Sequence, residues 1–441
     1  MPRPCSKQLP HYVDLGVAWQ TSEMSSSLRH STRFAVFGVP MDLLTRALEK
    51  TPRPITLPYL LAQGGRPGEP ATPDVILRSA KYTQQELPVR LARRVRQFYS
   101  LPFIVGTNPY IQEVARLYAW SFAQLSQVKP IETLDDNDRF VEELQKLVND
   151  HSEVVPTLSR GFLECGEYMD SEKVSNFLNA ALHSRIGVRI IAEQHLALTA
   201  TAKSAGSNDN STAFRLTPTS VGIVDTAMAP ADVIRQSSEY VRALCESAFE
   251  MAPEVVLEGQ VDARTMGIPV HLDYVMTELL KNAFRATTER FLAHRRAGTG
   301  PPGIPPITVT LASTPSHVSV RIRDAGGGIP PESMARIFDY AYTTAKAGGD
   351  TANWAGGEDP MDVAAGAMQS SMGTLAGLGY GLPLSRLYLG YFGKSSLDIV
   401  SLWGHVRIAI LTARAAMRSS SCPGTLARPR QRFSVHRRGR P

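Results

Sequence analysis

The stretch ELLKNAFRATTE, from Glu278 to Glu289, places a carboxylate, an amide and two cations on one side of a predicted helix. Glu278, Lys281, Asn282 and Arg285 follow the spacing i, i+3, i+4 and i+7, so their side chains lie on successive turns. The leucines and alanines between them can pack in the opposite direction. This arrangement indicates a phosphate and metal site, although a solvated amphipathic helix explains the motif alone about equally well.

Two glycine motifs follow this helix and favour nucleotide binding. DAGGGIP, Asp324 to Pro330, comes directly after HVSVRIRD, whose alternating valines and isoleucine predict a half-buried strand. Glycines at such a strand end let the backbone approach a ligand closely. GLGYGLP, Gly377 to Pro383, precedes an apolar helical pattern, and the free N–H groups of a helix start attract phosphate. Each motif alone is more often a structural turn, but their order strengthens the nucleotide interpretation.

Together these motifs resemble the ATP-binding fold shared by gyrase B, the Hsp90 chaperones, histidine kinases and MutL, known as the GHKL or Bergerat fold. With YAYTTA and LAGLGYGLPLSRLYLGYFG they look more specifically like the mitochondrial protein kinases of the pyruvate and branched-chain 2-oxoacid dehydrogenase complexes. The resemblance runs from about Lys81 to Gly404, with divergent stretches near 201–217 and before Gly377. Upstream it rests on three segments, which are KYTQQELPVRLARRVRQFYSLP, NDHSEVVPTLSRGF and HSRIGVRIIAEQH.

The pattern of apolar residues divides the chain into a helical part and a mixed part. Helical periodicity dominates from Lys81 to about residue 205, and short strands alternate with helices from about residue 219. We therefore expect an α plus α/β protein, with an N-terminal four-helix bundle followed by a GHKL-type α/β sandwich ATPase domain. The expected boundaries are a partly disordered leader at 1–80, the bundle at 81–205, a linker at 206–218, the ATP-binding domain at 219–413 with a lid at 340–376, and a basic disordered tail at 414–441.

The distribution of charge excludes an obvious nucleic-acid surface. The 441 residues carry a formal charge of +6, but eight arginines and no acid fall within the last 30 residues. The rest of the chain is therefore slightly acidic. A basic, proline-containing terminus of this kind is more often simply disordered. We expect no nucleic-acid partner.

Composition also limits the compartment and the kind of metal site. The chain contains no apolar run of about 18 to 20 residues, so we expect no membrane span. Its four cysteines show no CxxC spacing, so neither a zinc site nor a disulfide framework is indicated, which suits a reducing compartment. Asp14 and Glu23 make the leader unlike a clean transit peptide. The resemblance nevertheless implies the mitochondrial matrix.

The resemblance implies ATP and Mg²⁺ as ligands, and the residue chemistry suggests how they are held. The amide oxygen of Asn282 is a hard neutral donor that suits Mg²⁺. In the kinases that this chain resembles, the glutamate at Glu278 is the general base, although it could instead orient a metal-bound water. We expect Asp324 to accept a hydrogen bond from the exocyclic amine of adenine. Lys281 and Arg285 either offset phosphate charge or form ion pairs along the helix. The remaining expected nucleotide contacts are Gly326, Gly328, Thr343, Thr344, Gly377, Leu378, Gly379, Tyr380, Gly381 and Leu382.

His151 has two interpretations. It lies on the apolar side of its predicted helix with Leu144 and Leu147, where a histidine is more often a satisfied core residue. The segment HSEVVP, however, matches a histidine-centred segment of the mitochondrial kinases. On that resemblance His151 couples the bundle to the ATP site and, with Glu153, helps to orient Glu278 or the substrate.

Three functions remain open from the sequence. The first is a protein serine kinase that phosphorylates the alpha subunit of a 2-oxoacid dehydrogenase, docks on the lipoyl domain of the acyltransferase core, and forms a homodimer. The second is a histidine kinase phosphorylated on His151. The third is a catalytically impaired nucleotide-binding protein, because the residues after SLWG depart from the family, although VRIAIL can still form a last strand. Tyr274 looks closer to the branched-chain kinase than to the pyruvate kinases, without deciding the substrate.

Overall fold

The computed structural model describes residues 35–36, 38–204, 217–315, 317–340, 342, 379–393, 395–402 and 405–413. Four expected nucleotide contacts, Thr343, Thr344, Gly377 and Leu378, lie outside the described residues. The same is true of most of the predicted lid and linker, of residues 1–34 and of the tail at 414–441.

Helices make up the N-terminal half of the described chain. The strands β1 (Ala35–Val36) and β2 (Val39–Pro40) precede two short helices, α1 (Met41–Glu49) and α2 (Leu57–Gly64). Six further helices follow, which are α3 (Pro73–Tyr99), α4 (Phe103–Gly106), α5 (Pro109–Gln127), α6 (Leu134–Asp150), α7 (Val154–Glu164) and α8 (Ser171–Ser204). α3 begins at Pro73, before the expected bundle start at Lys81, because proline suits the first position of a helix.

The bundle consists of α3, α5, α8 and the consecutive pair α6 and α7, which pack on one another. α6 illustrates how its sequence produces this packing. A capping box begins the helix, since the Thr133 side chain accepts from the backbone of Asp136 while the Asp136 carboxylate accepts from the backbone of Thr133. Phe140, Leu144 and Leu147 recur at helical spacing and are all buried.

Short strands and helices alternate in the C-terminal half. The elements are β3 (Ser220–Val221), β4 (Val224–Met228), α9 (Pro230–Phe249), β5 (Val255–Gly259), β6 (Thr265–Gly267), α10 (Pro269–Arg296), β7 (Ile307–Ser313), β8 (His317–Arg323), α11 (Pro331–Met334), α12 (Gly381–Gly390), β9 (Ser395–Leu402) and β10 (His405–Ala413). The motif ELLKNAFRATTE lies in the middle of α10.

A five-stranded mixed sheet forms one layer of this half, in the order β5-β7-β8-β10-β9. β5 and β7 are parallel and the other pairs are antiparallel. β7 and β8 pair in the register Val309 to Ile322, and buried residues alternate with more exposed ones along both strands. One face of the sheet is therefore covered. β3, β4 and β6 form a separate antiparallel sheet.

The last strand occupies an interior position in the main sheet. β10 pairs with β8 on one side and with β9 on the other, although its sequence departs from the expected family pattern. Backbone hydrogen bonds make these ladders, and the alternation in VRIAIL suits a strand, so the altered side chains are compatible with pairing. The expectation that VRIAIL forms the last strand is confirmed.

The α/β half is covered by helices that also reach the bundle. α9 and α12 each pack on α10, α12 lies against β9, and α12 also contacts α8. One hydrophobic core extends from bundle residues such as Phe122 to α10 residues such as Phe284. The expected fold class, a helical bundle followed by an α/β sandwich, is confirmed. Within the described segments, no helix has the length and apolar character required to cross a membrane.

Candidate active site

α10 holds a buried ion pair at the centre of the candidate site. Lys281 Nζ donates to Glu278 Oε1 at 2.7 Å, and each side chain is only 5% exposed. The two residues are three positions apart, which brings their side chains together on one face of the helix. A buried carboxylate and a buried ammonium would each be costly alone, so the pair stabilises both charges.

The other two polar residues of the motif point to different surroundings. Asn282 is exposed, and its side chain forms no hydrogen bond with any residue that the structure describes. Arg285 is half-buried and its Nε donates to Glu289 Oε1 at 2.7 Å on the same helix. Both predicted cations, Lys281 and Arg285, are thus paired along α10, whereas the amide oxygen of Asn282 is accessible.

The glycine-rich loop meets this helix at Gly381, the first residue of α12. A Cβ at Gly381 would collide with Oε2 of Glu278, so the absence of a side chain at this position leaves room for the carboxylate. Gly379 has a φ of +75°, a conformation that also favours glycine. The carboxylate therefore lies against the N-terminal end of α12, where the helix dipole favours negative charge.

The Asp-Gly turn that follows β8 contacts α10 about two helical turns beyond Glu278. Asp324 is buried and its Oδ1 accepts from the backbone N–H of Gly326 at 2.8 Å. A Cβ at Gly326 would collide with the side chain of Ala286, so this glycine allows the turn to touch the helix. Arg290 Nη1 donates to the carbonyl of Ala325 at 3.3 Å and fixes the same contact.

Gly327 and Gly328, which follow in the turn, have φ values of +105° and +88°. Backbone of this kind is rarely adopted by other residues, so the glycines are required by the conformation. The next residue is also held, because the backbone N–H of Ile329 donates to Ser401 Oγ at 2.7 Å. The Asp-Gly turn is thus tied both to α10 and to β9.

The three sequence motifs therefore meet on one helix. Glu278 touches the glycine-rich loop, Ala286 touches the Asp-Gly turn, and Asn282 lies midway between them. Eight residues of α-helix separate the two contacts by about 12 Å. An elongated ligand with an anionic end and a hydrogen-bonding end fits such a spacing.

Comparison with known proteins agrees with this geometry. Residues 54–225 match the family model described as mitochondrial branched-chain alpha-ketoacid dehydrogenase kinase. Residues 267–401 match the model described as histidine kinase-, DNA gyrase B-, and HSP90-like ATPase. A mitochondrial pyruvate dehydrogenase (acetyl-transferring) kinase of Arabidopsis thaliana is 32% identical over 80% of this chain and 87% of its own length. The chain belongs to the pyruvate and branched-chain 2-oxoacid dehydrogenase kinase family.

Other members of this family show similar agreement. Isozyme 4 of the pyruvate dehydrogenase kinase of Mus musculus is 30% identical over 83% of this chain and 82% of its own length. Isozyme 3 of Homo sapiens is 29% identical over 76% of this chain and 78% of its own length. The family match begins at residue 54, upstream of the Lys81 start that the motifs indicated. Like its relatives, the chain is a kinase with the GHKL ATP-binding fold.

His151 lies in the bundle, directly after the last residue of α6. Its Nε2 and Ser121 Oγ are 2.8 Å apart, and its ring meets the Tyr118 ring edge-on at a centroid distance of 4.8 Å. Burial, with smaller contributions from Arg185 and Arg189, lowers the pKa of His151 to about 3. The imidazole is therefore neutral, and its enclosure, not its charge, makes it unsuited to be a phosphoacceptor.

The predicted coupling of His151 to Glu278 involves no direct contact between the two described side chains. Arg185 Nη2 instead donates to the His151 carbonyl at 3.1 Å. Burial, followed by the Glu278 carboxylate, raises the pKa of Tyr274, and the guanidinium of Arg185 acts in the opposite direction. Tyr274 lies one turn before Glu278, so Arg185 connects the bundle to the candidate site indirectly. Glu153, the residue before α7, is exposed.

Sequence patterns did not identify the buried arginines of α8. Arg185 and Arg189 fall in a helix whose residues from 185 to 199 are all buried, where cations are not expected from periodicity. Arg189 is neutralised by Glu193, with Nη2 and Oε1 2.7 Å apart. The spacing of Arg189 and Glu193, one helical turn, was the available signal for this pair.

Substitution of Gly381 by alanine tests the contact between the glycine-rich loop and Glu278. The added methyl group would lie too close to the Glu278 carboxylate, so the start of α12 moves away from α10 and displaces the loop where the phosphates are expected to bind. We therefore expect ATP affinity to fall by about tenfold or more, which is at least about 1.4 kcal/mol. Gly390→Ala, at the other end of α12, is the matched control because a Cβ there meets nothing within 4 Å. Equal ATP affinities in the two variants, measured by calorimetry, contradict the contact.

Acid sensitivity tests the enclosed state of His151. The unfolded chain binds a proton near the ordinary pKa of 6.5, whereas folded His151 does so only near pH 3. The free energy of unfolding should therefore decrease as the pH falls through about 6.5, since the unfolded state binds more protons. His151→Gln should make this decrease shallower in urea titrations between neutral pH and about pH 5. An unchanged slope contradicts the buried neutral assignment.

Proposed function

We propose that this chain is an ATP-dependent protein serine kinase that phosphorylates the alpha subunit of a mitochondrial 2-oxoacid dehydrogenase. The observation that carries the proposal is the contact between the Glu278 carboxylate and Gly381 at the start of α12. It brings a proton acceptor to the loop where the phosphates of ATP are expected to bind.

Asp324 and the glycine-rich loop are the two proposed ends of the nucleotide site. The Asp324 carboxylate accepts a hydrogen bond from the exocyclic amine of adenine, while Gly326 and Gly328 let the backbone approach the base. Residues 377–382 surround the triphosphate, with Thr343 and Thr344 as further polar contacts. Support comes from the attachment of both ends to α10 through Glu278 and Ala286.

Asn282 is the proposed protein ligand of Mg²⁺. Its exposed amide oxygen lies one turn from Glu278 on α10, and hard oxygen donors of this kind suit the ion. No three His, Cys, Asp or Glu side chains among the described residues form a group that could hold a metal. Mg²⁺ usually takes few protein ligands and completes its shell with water and phosphate oxygens. When bound, Mg²⁺ neutralises charge on the phosphates.

Glu278 is the proposed general base. As the serine oxygen attacks the γ-phosphorus, the carboxylate takes the serine proton, and the bond to the ADP oxygen breaks. Lys281 and the N-terminal end of α12 lie beside the buried Glu278 carboxylate and hold it in position. Lys281 and Arg285, although paired in this structure, also lie on the helix face where they offset phosphate charge.

The proposed substrate and partners follow from the family. Relatives of this chain are named as mitochondrial kinases of pyruvate dehydrogenase, while the N-terminal family model is named for the branched-chain enzyme. We therefore propose the mitochondrial matrix as the location, the lipoyl domain of the acyltransferase core as the docking partner, and a homodimer as the assembly. Both dehydrogenases are candidate substrates.

Phosphate transfer from radiolabelled ATP tests this proposal. The purified chain is incubated with the pyruvate or the branched-chain dehydrogenase, with and without the lipoyl-bearing core. We expect acid-stable label on one alpha subunit, increased by its own core. Acid-labile label on the chain itself indicates a histidine kinase, and ATP binding without any transfer indicates an impaired nucleotide-binding protein. Either result overturns the proposed function.

Glu278→Gln separates proton transfer from nucleotide binding. The amide has nearly the same shape but cannot accept the serine proton, so we expect transfer to be lost while ATP affinity stays within a few-fold of the wild type. Glu239→Gln, at an exposed position of α9, is the matched control and should retain full activity. Appreciable turnover by Glu278→Gln contradicts the base role.

A further inference from the structure

Two tyrosines connect the nucleotide-binding half to the bundle. Tyr340 lies shortly after α11, and Tyr380 is the residue before α12. Their rings pack against each other with centroids 5.2 Å apart. Tyr380 belongs to the glycine-rich loop, so the pair lies at that end of the candidate site.

Tyr340 makes a direct hydrogen bond to the bundle. Its hydroxyl donates to Asn179 Oδ1 on α8 at 2.6 Å. Burial, and secondarily Tyr380, raises the pKa of the Tyr340 phenol, so the hydroxyl retains its proton at neutral pH. The contact joins residues 161 positions apart in the sequence and is one of the described links between the two halves.

Tyr380 is more deeply buried than Tyr340. Only 1% of its surface is exposed, and burial raises its pKa to about 12 while the nearby Ser159 side chain on α7 acts in the opposite direction. Ser159 is itself fully buried and donates to the Val155 carbonyl at 2.8 Å. The Tyr380 hydroxyl makes no hydrogen bond of normal geometry within the described part of the chain, to Ser159 or to any other residue. The Tyr380 ring is held by packing, and its described ring contact is with Tyr340.

The glycine-rich loop needs such an external support. Gly379 and Gly381 on either side of Tyr380 have no side chains with which to anchor the backbone, and glycine loses more conformational freedom on ordering than any other residue. A loop ordered in advance binds its ligand more tightly because less entropy is lost on binding. Tyr380 can provide this order because its ring packs on Tyr340, which is hydrogen-bonded to the bundle.

We propose that Tyr340 and Tyr380 are positioning residues, which anchor the glycine-rich loop to α8 and so make ATP affinity depend on the bundle. The inference rests on the proposed binding of ATP at this loop. It assigns the bundle a part in nucleotide binding through Asn179, which lies outside the nucleotide-binding half.

Variants of the Tyr340 contact test the proposal in the full-length protein. Tyr340→Phe and Asn179→Ala each remove one hydrogen bond, so we expect the Kd for Mg·ATP to rise by about two- to tenfold, the range for a bond of about 0.5–1.5 kcal/mol. Turnover at saturating ATP should change much less than KM. Asn179→Asp keeps an acceptor oxygen and should restore the wild-type Kd.

A tyrosine elsewhere in the helical half provides the matched control. Tyr59 Oη accepts from Gln63 Nε2 at 2.8 Å within α2, so Tyr59→Phe removes an equivalent hydroxyl away from the loop. It should lower thermal stability as much as Tyr340→Phe but leave the Kd unchanged. Equal Kd values for Tyr59→Phe, Tyr340→Phe and the wild type overturn the positioning role, whereas a wild type that binds no ATP overturns the proposed function instead.

Discussion

Glu278 and Lys281 form an ion pair inside the protein, and the other parts of the candidate site are arranged around it. Opposite charges can be removed from water only when each is neutralised at close range and held in place by its surroundings. α10 meets the first requirement by spacing the two residues almost one turn apart. α9 and α12 meet the second by packing on α10, and Gly381 leaves room for the carboxylate.

The local chemistry of this site was predictable because it depends on short-range spacing. Helical periodicity placed Glu278 and Asn282 on adjacent turns, and alternation in HVSVRIRD predicted β8. Glycines at the strand end and at the start of α12 were recognisable because few other residues adopt their backbone conformations or permit such close contacts. The sequence therefore contained the elements of the site and much of its conformation.

The long-range contacts were not predictable from these patterns. Periodicity identified a polar face on α10 but not that Lys281 would be enclosed within it, since burial depends on elements about a hundred residues away. The link from Tyr340 to Asn179 joins two distant segments and has no local signature. The burial of Arg185 within the bundle was likewise not predictable, because the surrounding helix is mostly apolar.

In contrast, β10 formed despite its altered sequence, because backbone pairing with β8 and β9 requires only alternation.

Amide hydrogen exchange of the full-length protein with increasing Mg·ATP tests most directly whether one nucleotide site lies along α10. We expect segments containing 278–285, 324–328 and 379–382 to gain protection together, with a common midpoint concentration. α1, at the far end of the chain from these segments, should show no change. Protection of only one segment, or clearly different midpoints among the three, would contradict a single site organised by α10.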